Sequence, residues 1–310
     1  MFRHRRARSV TLSALRALPL VLALPLVLAG APRATAVETS PASHYAVERC
    51  GSAPTLKRSA FPAAPVVRNT YLPLVPGWSY LLEGTVLGDD GRPHAHRIAS
   101  VVTDLTKRVN GVRVIVVFER DFDDGQLQES ELAFHAQDSS GRVWNLGEYP
   151  EEYVDGTFAG APRTWISGTS GARAGVAMLA KPTTRSPAYL QGRARAVGFE
   201  DCAKVVQTGR HICVPVRCYD NVLVTEEWAP NDPAGGRQRK FYAPRVGTVR
   251  VDAVGGANPE VLRLTGYTRL CGAALGRVRN AALRQDSRGY QVSGAVYGRT
   301  TTAHRTLRSC

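Results

Sequence analysis

The sequence has few acidic residues and no long apolar run. It contains 26 Asp and Glu against 40 Lys and Arg, which gives a formal charge of +14. The apolar run near the N-terminus, at residues 17–30, is only 14 residues long. A helix needs roughly 20 apolar residues to cross a bilayer, and Pro19 and Pro25 interrupt this stretch. The sequence therefore predicts no transmembrane span in the mature protein.

The sequence also lacks the short motifs of nucleotide-dependent enzymes. It has no phosphate-binding loop and no dinucleotide-binding glycine pattern. The tetrapeptide Gly-Thr-Ser-Gly at 168–171 falls short of a nucleophile elbow, because residue 172 is Ala where Gly is needed. We therefore expect no cofactor, and we favour a protein that is not an enzyme.

The start of the chain is typical of a secretory signal peptide. Arginines at positions 3, 5, 6, 8 and 16 precede the apolar stretch, and Ala34-Thr35-Ala36 has the small-x-small form of a cleavage site. A membrane anchor is the alternative, and the shortness of the stretch disfavours it. No Cys directly follows the stretch, so we expect no lipid anchor. We expect cleavage near Ala36 and an extracytoplasmic or secreted mature protein.

Composition divides the chain into four parts. Residues 1–36 are the signal peptide, and residues 37–68, rich in Ala, Pro, Ser and Thr, read as a flexible leader. Residues 69–270 form a β-rich domain, and residues 271–310 form a short helix and a basic tail. Cleavage takes away six Arg and no acid, so the charge falls from +14 to +8.

The basic tail suggests one kind of partner. Its arginines are Arg277, Arg279, Arg284, Arg288, Arg299, Arg305 and Arg308, and its one acid is Asp286. Such a tail outside a cell can contact an anionic envelope, although a solvated tail is the simpler interpretation and the one we favour. We expect no nucleic-acid partner.

Residues 69–270 show the alternation of antiparallel strands. Trp78, Tyr80 and Leu82 alternate with other residues in the first strand, after a segment whose Pro73 and Pro76 exclude a central strand. Asn110-Gly111, Asp124-Gly125 and Thr208-Gly209 are turn signals between further strand-sized segments. We predict a mainly β fold, an antiparallel meander that forms a curved sheet, an open barrel or a sandwich. A short C-terminal helix is expected at 272–284.

Several motifs together resemble a family of exported, actinobacterial-type bacterial proteins of unassigned function. The domain opens with the pattern N-x-Y-x-P-L-x-P-G at residues 69–77. Further matching segments are 134–138, 143–148, 214–215, 221–224, 227–228 and 242–247. The resemblance covers about residues 66 to 270. It implies a β-rich extracytoplasmic domain and implies no activity.

Six cysteines in an exported chain favour disulfides. They are Cys50, Cys202, Cys213, Cys218, Cys271 and Cys310. Cys202 and Cys213 flank the predicted hairpin at 203–212, so we predict a bridge from Cys202 to Cys213 or Cys218. Zinc is the alternative, with His211 nearby, but the spacing is not that of a zinc ribbon. We therefore predict no metal there.

Four acids between two strand signals are the weak catalytic candidates. They are Glu148, Glu151, Glu152 and Asp155. Two carboxyl groups at a suitable separation could hydrolyse a glycosidic bond. Adjacent residues in a strand point to opposite faces, however, and a solvated loop is the simpler interpretation.

Histidines offer two further candidates. His135 lies on the polar face of its strand and could act as a base, but we favour an exposed surface histidine. His94 and His96 would share one face of a strand, a geometry that a metal can use. No third ligand is evident in the nearby sequence, so we predict no metal site.

The aromatic residues are the better indication of function. The candidates for ligand contact are Trp78, Tyr80, Trp144, Tyr149, Tyr153 and Trp165. A curved sheet with such residues on its concave face could hold a small apolar ligand or a carbohydrate beneath residues 147–190. We expect most of them to be core. The leading hypothesis is a non-catalytic binding or envelope-associated module. A secreted hydrolase of wall carbohydrate and a structural protein that uses its basic tail are the alternatives.

Overall fold

The structure is a computed structural model that describes residues 49–51 and 54–308. The predicted signal peptide and its cleavage site lie outside the described residues. So do residues 37–48 of the predicted leader.

The described chain is mainly antiparallel β structure, so the predicted fold class is confirmed. The strands are β1 (Val67–Arg68), β2 (Pro73–Leu74), β3 (Trp78–Leu87), β4 (Pro93–Val109), β5 (Val112–Asp123), β6 (Gln126–Gln137), β7 (Val143–Val154), β8 (Thr157–Gly160), β9 (Trp165–Ile166), β10 (Arg173–Met178), β11 (Tyr189–Ala194), β12 (Phe199–Val214), β13 (Arg217–Trp228), β14 (Arg237–Ala243), β15 (Gly247–Val254), β16 (Glu260–Arg269) and β17 (His304–Arg305). The helices are α1 (Gly272–Val292) and α2 (Gly294–Tyr297), with short 3₁₀ turns at Arg58–Ala60, Arg195–Val197 and Pro233–Gly235.

Twelve of the described strands close into a barrel. The order runs from β10 through β11 to β16, then through β3 to β7, and β7 pairs back with β10. Val176 of β10 lies opposite Trp144 of β7 in this closing pair. Of the predicted architectures the barrel is the observed one, and it is closed rather than open. Part of the segment 147–190, read from sequence as irregular, supplies the strands of the closure.

Two predicted hairpin turns are confirmed and a third is wrong. Both residues of each turn have the positive φ that tight hairpin turns require. The angles are 48° at Asn110 and 80° at Gly111, and 48° at Asp124 and 79° at Gly125. At Thr208-Gly209 the chain does not turn, because β12 continues to Val214. Gly209 has a φ of 69° where the register with β13 shifts, so it forms an irregularity within the strand.

The position of the true turn corrects the disulfide prediction. Cys213 lies directly opposite Cys218 across the β12–β13 turn, and these two cysteines are bonded to each other. Cys202 is bonded to Cys50 instead. The predicted bridge from Cys202 to Cys213 or Cys218 is therefore wrong, because the turn lies at 215–216. Both sulfurs beside His211 are oxidised, so neither is a thiolate that could bind zinc.

The segment before the barrel folds back over one of its ends. The β1–β2 pair stands apart from the barrel sheet, and Val67 and Leu74 pack against interior residues of the barrel. Asn69 holds this segment in place, because its Nδ2 donates to the carbonyl oxygens of Gly141 and Leu179. Its Oδ1 accepts bonds from the backbone N–H groups of Tyr71 and Leu72, which shapes the turn between β1 and β2. We call residues 67–74 the plug. From Cys50 onward, the described part of the predicted leader is tied to the barrel by Cys50–Cys202 and by a bond from Arg58 to Asn110.

Helix α1 packs on the outer face of β4–β7 and is longer than the predicted 272–284. Its buried residues include Leu275, Ala282 and Gly289, together with the polar Gln285 and Asp286. Because two members of the buried stripe are polar, hydrophobic periodicity underestimates the length of the helix. No helix within the described ranges combines the length and the apolar composition that crossing a bilayer requires.

Ion pairs clamp the C-terminal region to the barrel. Arg279 makes two bonds to the buried Asp104, at 2.8 and 2.6 Å, and Arg305 contacts the same carboxylate. Arg288 makes two bonds to the buried Glu151, at 2.9 and 2.6 Å. Three of the seven arginines of the predicted basic tail therefore bind acids of the barrel.

A buried lysine completes this clamp. Lys107 of β4 has no exposed surface, and its Nζ lies 2.6 Å from Asp286 and 3.8 Å from the ring centroid of Tyr297. Gly289 allows this ring to approach, since a Cβ there would lie 2.6 Å from Tyr297 Cε1. Burial lowers the pKa of Lys107 to about 8, and the attraction of Asp286 opposes part of that shift.

We expect Lys107→Met to destabilise the protein strongly. The substitution leaves the Asp286 carboxylate buried without its cation, which typically costs about 3–5 kcal/mol. The measurement is the free energy of unfolding in urea, with Arg277→Met on the exposed face of α1 as the control, expected within about 0.5 kcal/mol of the natural protein. Equal stability of the two variants would contradict this role of Lys107.

Candidate functional site

The barrel contains a cavity of about 250 Å³. The plug forms part of its lining through Leu72, Pro73 and Leu74, and most of the barrel strands contribute the rest. This volume is slightly below the roughly 300–1,000 Å³ that is typical of ligand sites in proteins. Its size suits one small molecule.

The lining changes from apolar to acidic along the barrel axis. Cross-strand pairing places Val102, Val117 and Ala133 in one row, and Ser100, Glu119 and Glu131 in the next. The polar lining residues are Ser100, Glu119, Glu129, Glu131, His135, Asn145, Glu148, Arg163, Gln191, Asp201, Glu227, Gln238, Lys240, Thr248 and Glu260. Acids outnumber bases among them, although the protein as a whole is strongly basic. The cavity thus has one end suited to hydrocarbon and a wall suited to hydrogen-bond donors.

A bulge in β7 aims Glu148 into the cavity. Gly147 lies close to the next segment of chain, since a Cβ there would be 2.7 Å from the carbonyl oxygen of Trp165. The pairing with β6 is irregular at this point, and Asn145 and Glu148 both face inward. Burial raises the pKa of Glu148 to about 7, even though hydrogen bonds from Asn145 and Trp165 oppose the shift. Glu148 is therefore poised to hold or release a proton near neutral pH.

Glu131 of β6 is the second unusual acid of the cavity. It is 3% exposed, and its Oε1 is buried with no hydrogen-bond partner among the described residues. Burial raises the pKa of Glu131 well above its usual range, and the charges of Glu148, Glu129 and Glu119 raise it further. Burial therefore favours the protonated form of this carboxyl, which faces the cavity and can donate or accept a hydrogen bond.

His135 also lines the cavity, so the favoured prediction of an exposed surface histidine is wrong. Its side of β6 faces the barrel interior rather than solvent, and its Nδ1 is buried without a hydrogen-bond partner in the described chain. Burial lowers the pKa of His135 to about 4, which keeps the imidazole neutral.

Two cations, Arg163 and Lys240, form ion pairs with other acidic groups in and beside the lining. Arg163 contacts Glu129 at 2.6 Å and Glu152 at 2.7 Å. Lys240 contacts Glu227 at 2.9 Å. Burial alone would raise the pKa of Glu227, but the positive charge of Lys240 outweighs it and lowers that pKa to about 2. These groups have partners, whereas the carboxyl of Glu131 is open to a ligand.

The structure separates the four acids predicted from sequence. Glu148 enters the cavity, and Glu151 lies on the opposite face of β7 against Arg288 and Tyr149. Glu152 pairs with Arg163, while Asp155 is exposed at the β7–β8 turn. The strand alternation that the sequence suggested is the cause of this separation.

The predicted aromatic residues also divide between different environments. Tyr80 lines the cavity, and Trp165 reaches it indirectly through a 3.0 Å bond from its Nε1 to Glu148. Trp144 and Tyr149 are buried on the outer face, in the cluster that α1 covers. The remaining two are outside the lining: Trp78 stacks on Tyr267 with centroids 4.2 Å apart, and Tyr153 donates to Glu151.

Sequence reasoning missed Glu131 as a site residue. The signal was present, because Glu131, Ala133 and His135 alternate with the apolar Leu132, Phe134 and Ala136. Alternation separates two faces of a strand but does not say which one faces solvent. In a barrel covered by a helix, the polar face can be the interior one.

Comparison with protein-family models and with curated proteins finds no match to this chain. Among solved structures it is similar to a Bacteroides fragilis protein described as exported with a YmcC-like fold, with a TM-score of 0.35 and 12% identity over 65% of this chain and 100% of that one. A Parabacteroides distasonis protein described as a lipoprotein has a TM-score of 0.35 and 9% identity over 64% of this chain and 99% of that one. Similarity at this level carries no argument about function.

We expect Glu131→Gln to stabilise the protein at pH 8 more than at pH 5. Because the folded state raises the pKa of Glu131, it retains a proton that the unfolded chain releases above about pH 4.5, so this group makes stability fall as pH rises. Gln cannot ionise and so removes that penalty, which is why its stabilising effect should be larger at pH 8 than at pH 5.

The measurement is the free energy of unfolding at both pH values. The exposed Glu83→Gln on β3 is the control, and its effect should be small at both. If the free energy of unfolding of Glu131→Gln depends on pH as that of the natural protein does, the Glu131 carboxyl ionises normally and the prediction is wrong.

Proposed function

We propose that this protein is an exported, non-catalytic binding module that holds one small ligand in the cavity of its barrel. The observation that supports this most is the buried Glu131 carboxyl, which faces the cavity and whose Oε1 has no hydrogen-bond partner among the described residues. A buried polar group without a partner is unfavourable, and a ligand that donates to it would remove the penalty. In this proposal the concave face of the sheet, on which the sequence analysis expected the ligand, is the interior of the barrel.

The lining indicates the chemistry of the ligand. Val102, Val117 and Ala133 would contact an apolar part, while Glu131 and Glu148 would receive hydrogen bonds from hydroxyl or amine groups. A small carbohydrate, which combines an apolar face with hydroxyl groups, meets both requirements, as does an apolar molecule with one polar end.

A hydrolase acting on wall carbohydrate is the second candidate. Its support is that two carboxyl groups with raised pKa values, Glu131 and Glu148, face one cavity and influence each other. Such a pair could supply a general acid and a general base. The cavity volume of about 250 Å³ favours a small ligand over a polymer, so we place binding first.

Export belongs to the same proposal. The basic N-terminus, the apolar stretch at 17–30 and the Ala34-Thr35-Ala36 sequence support secretion with cleavage near Ala36. The disulfides Cys50–Cys202 and Cys213–Cys218 suit an oxidising compartment.

We expect the protein secreted by a bacterial host to begin near residue 37 and to carry a bound small molecule. Intact-mass analysis tests the first expectation, and native mass spectrometry tests the second. Val117→Trp, which fills the cavity from β5, should lose the bound molecule, whereas the control Val261→Trp, at an exposed position of β16, should retain it.

Folding of Val117→Trp is checked by circular dichroism, and Glu131→Gln provides a second variant of the cavity that should lower occupancy. A natural protein that is consistently empty, and that no sugar or amphipathic compound stabilises in a thermal-shift panel, would overturn the binding function. Release of a cleaved sugar from an offered oligosaccharide would instead favour the hydrolase.

A further inference from the structure

A second polar cluster lies in the barrel away from the plug. His96 of β4, Asp121 and Asp123 of β5, and Glu260 of β16 form it. His96 and Asp121 are each 1% exposed. The register places His96 opposite Asp123, three rows from the apolar row that contains Val102. This cluster is therefore distinct from the Glu131–Glu148 region of the cavity.

One ring nitrogen of His96 converges with two carboxylates. Its Nδ1 lies 2.7 Å from Asp123 Oδ1 and 3.4 Å from Asp121 Oδ1. One potential ligand atom from each of these three residues lies within 4.8 Å of the other two. Asp121 and Asp123 are two residues apart in a strand, so both side chains project to the face that His96 occupies.

The other ring nitrogen of His96 reaches a third carboxylate. Its Nε2 lies 2.9 Å from Glu260 Oε2, although β3 separates the two parent strands. Gly84 of β3 pairs with His96 on one side and with Leu262, two residues after Glu260, on the other. Gln238 Nε2 donates to Glu260 Oε1 at 3.3 Å and so orients this carboxylate.

The chemistry of imidazole makes this arrangement informative. A neutral histidine carries a proton on one nitrogen only. The 2.7 Å contact of Nδ1 with Asp123 Oδ1 is a hydrogen bond, which a neutral ring makes by carrying its proton on Nδ1. A metal ion bound at Nδ1 would replace that hydrogen bond, and the ring proton would then lie on Nε2, 2.9 Å from Glu260 Oε2. Histidines that bind metals commonly donate their other N–H to a carboxylate, as His96 is placed to do.

We propose that His96, Asp121 and Asp123 bind a divalent transition-metal ion, with Glu260 as the carboxylate that orients His96. One imidazole nitrogen with carboxylate oxygens suits Zn²⁺ or Mn²⁺, whereas Ca²⁺ and Mg²⁺ prefer oxygen ligands alone. The site is independent of the proposed small-molecule function, since its three ligands lie outside the cavity lining and only Glu260 borders it.

The test uses the secreted, untagged protein after treatment with a chelator. Equilibrium dialysis against Zn²⁺ alone and against Mn²⁺ alone, read by elemental analysis, should give one tightly bound equivalent of at least one of the two ions. Zn²⁺ or Mn²⁺ should also raise the melting temperature more than Ca²⁺ or Mg²⁺ does.

His94→Ala is the matched control. His94 lies on the same strand two residues earlier and also contacts two aspartates, Asp90 and Asp124, but it is partly exposed at the barrel rim. We expect His96→Ala to abolish tight binding and His94→Ala to retain it. Glu260→Gln should weaken binding about 10- to 100-fold, as the loss of an orienting partner does.

Asp123→Asn, at a half-buried position, serves if His96→Ala fails to fold, and it should weaken binding at least about tenfold. Two results would overturn the proposal. One is a natural protein that takes up neither ion stoichiometrically, which would make the cluster an ion pair around a protonated His96. The other is a folded His96→Ala or Asp123→Asn variant with unchanged affinity.

Discussion

The pairing of β7 with both β6 and β10 is the constraint on which the rest of the structure depends. It joins the two ends of the meander and turns a curved sheet into a closed ring. Closure satisfies the backbone groups at both edges of the sheet, and it gives each strand an interior and an exterior face. The bulge at Gly147, within this same strand, directs Glu148 inward.

Closure also sets the electrostatics of the candidate site. Acids that would be solvated on an open sheet are enclosed, and removal from water raises the pKa values of Glu131 and Glu148. Where a cation is within reach, as Lys240 is for Glu227, the carboxylate stays ionised. The interior therefore contains both satisfied ion pairs and carboxyl groups that are available to a ligand.

The outer face of the barrel is apolar where the helices cover it. The large apolar side chains of β5–β7 that point outward, among them Phe118, Phe134 and Trp144, need a cover, and α1 with α2 provides it. Lys107–Asp286 and Arg279–Asp104 fix the position of the helix on that face. The plug has the corresponding role at the apolar end of the interior. Segments before and after the barrel thus complete its core. The stability of the site therefore depends on these segments as well as on the strands.

Local patterns predicted much of the fold. Alternation and the Asn110-Gly111 and Asp124-Gly125 signals are properties of adjacent residues, and adjacent residues determine strands and tight turns. The hairpin turn predicted at Thr208-Gly209 was wrong, because a glycine with positive φ fits an irregularity within a strand as well as a turn. The true β12–β13 turn brought Cys213 and Cys218 together and left Cys202 for Cys50, which lies 152 residues away in sequence.

The amino-acid pattern alone established an antiparallel β domain with disulfides, because strand period and cysteine content can be read without knowledge of distant contacts. It did not establish that His135 and Glu131 face inward. That depends on which face of the sheet α1 covers and on where β10 meets β7. These are contacts between residues far apart in the chain, so ring closure and helix packing decided which polar side chains became the lining of the cavity.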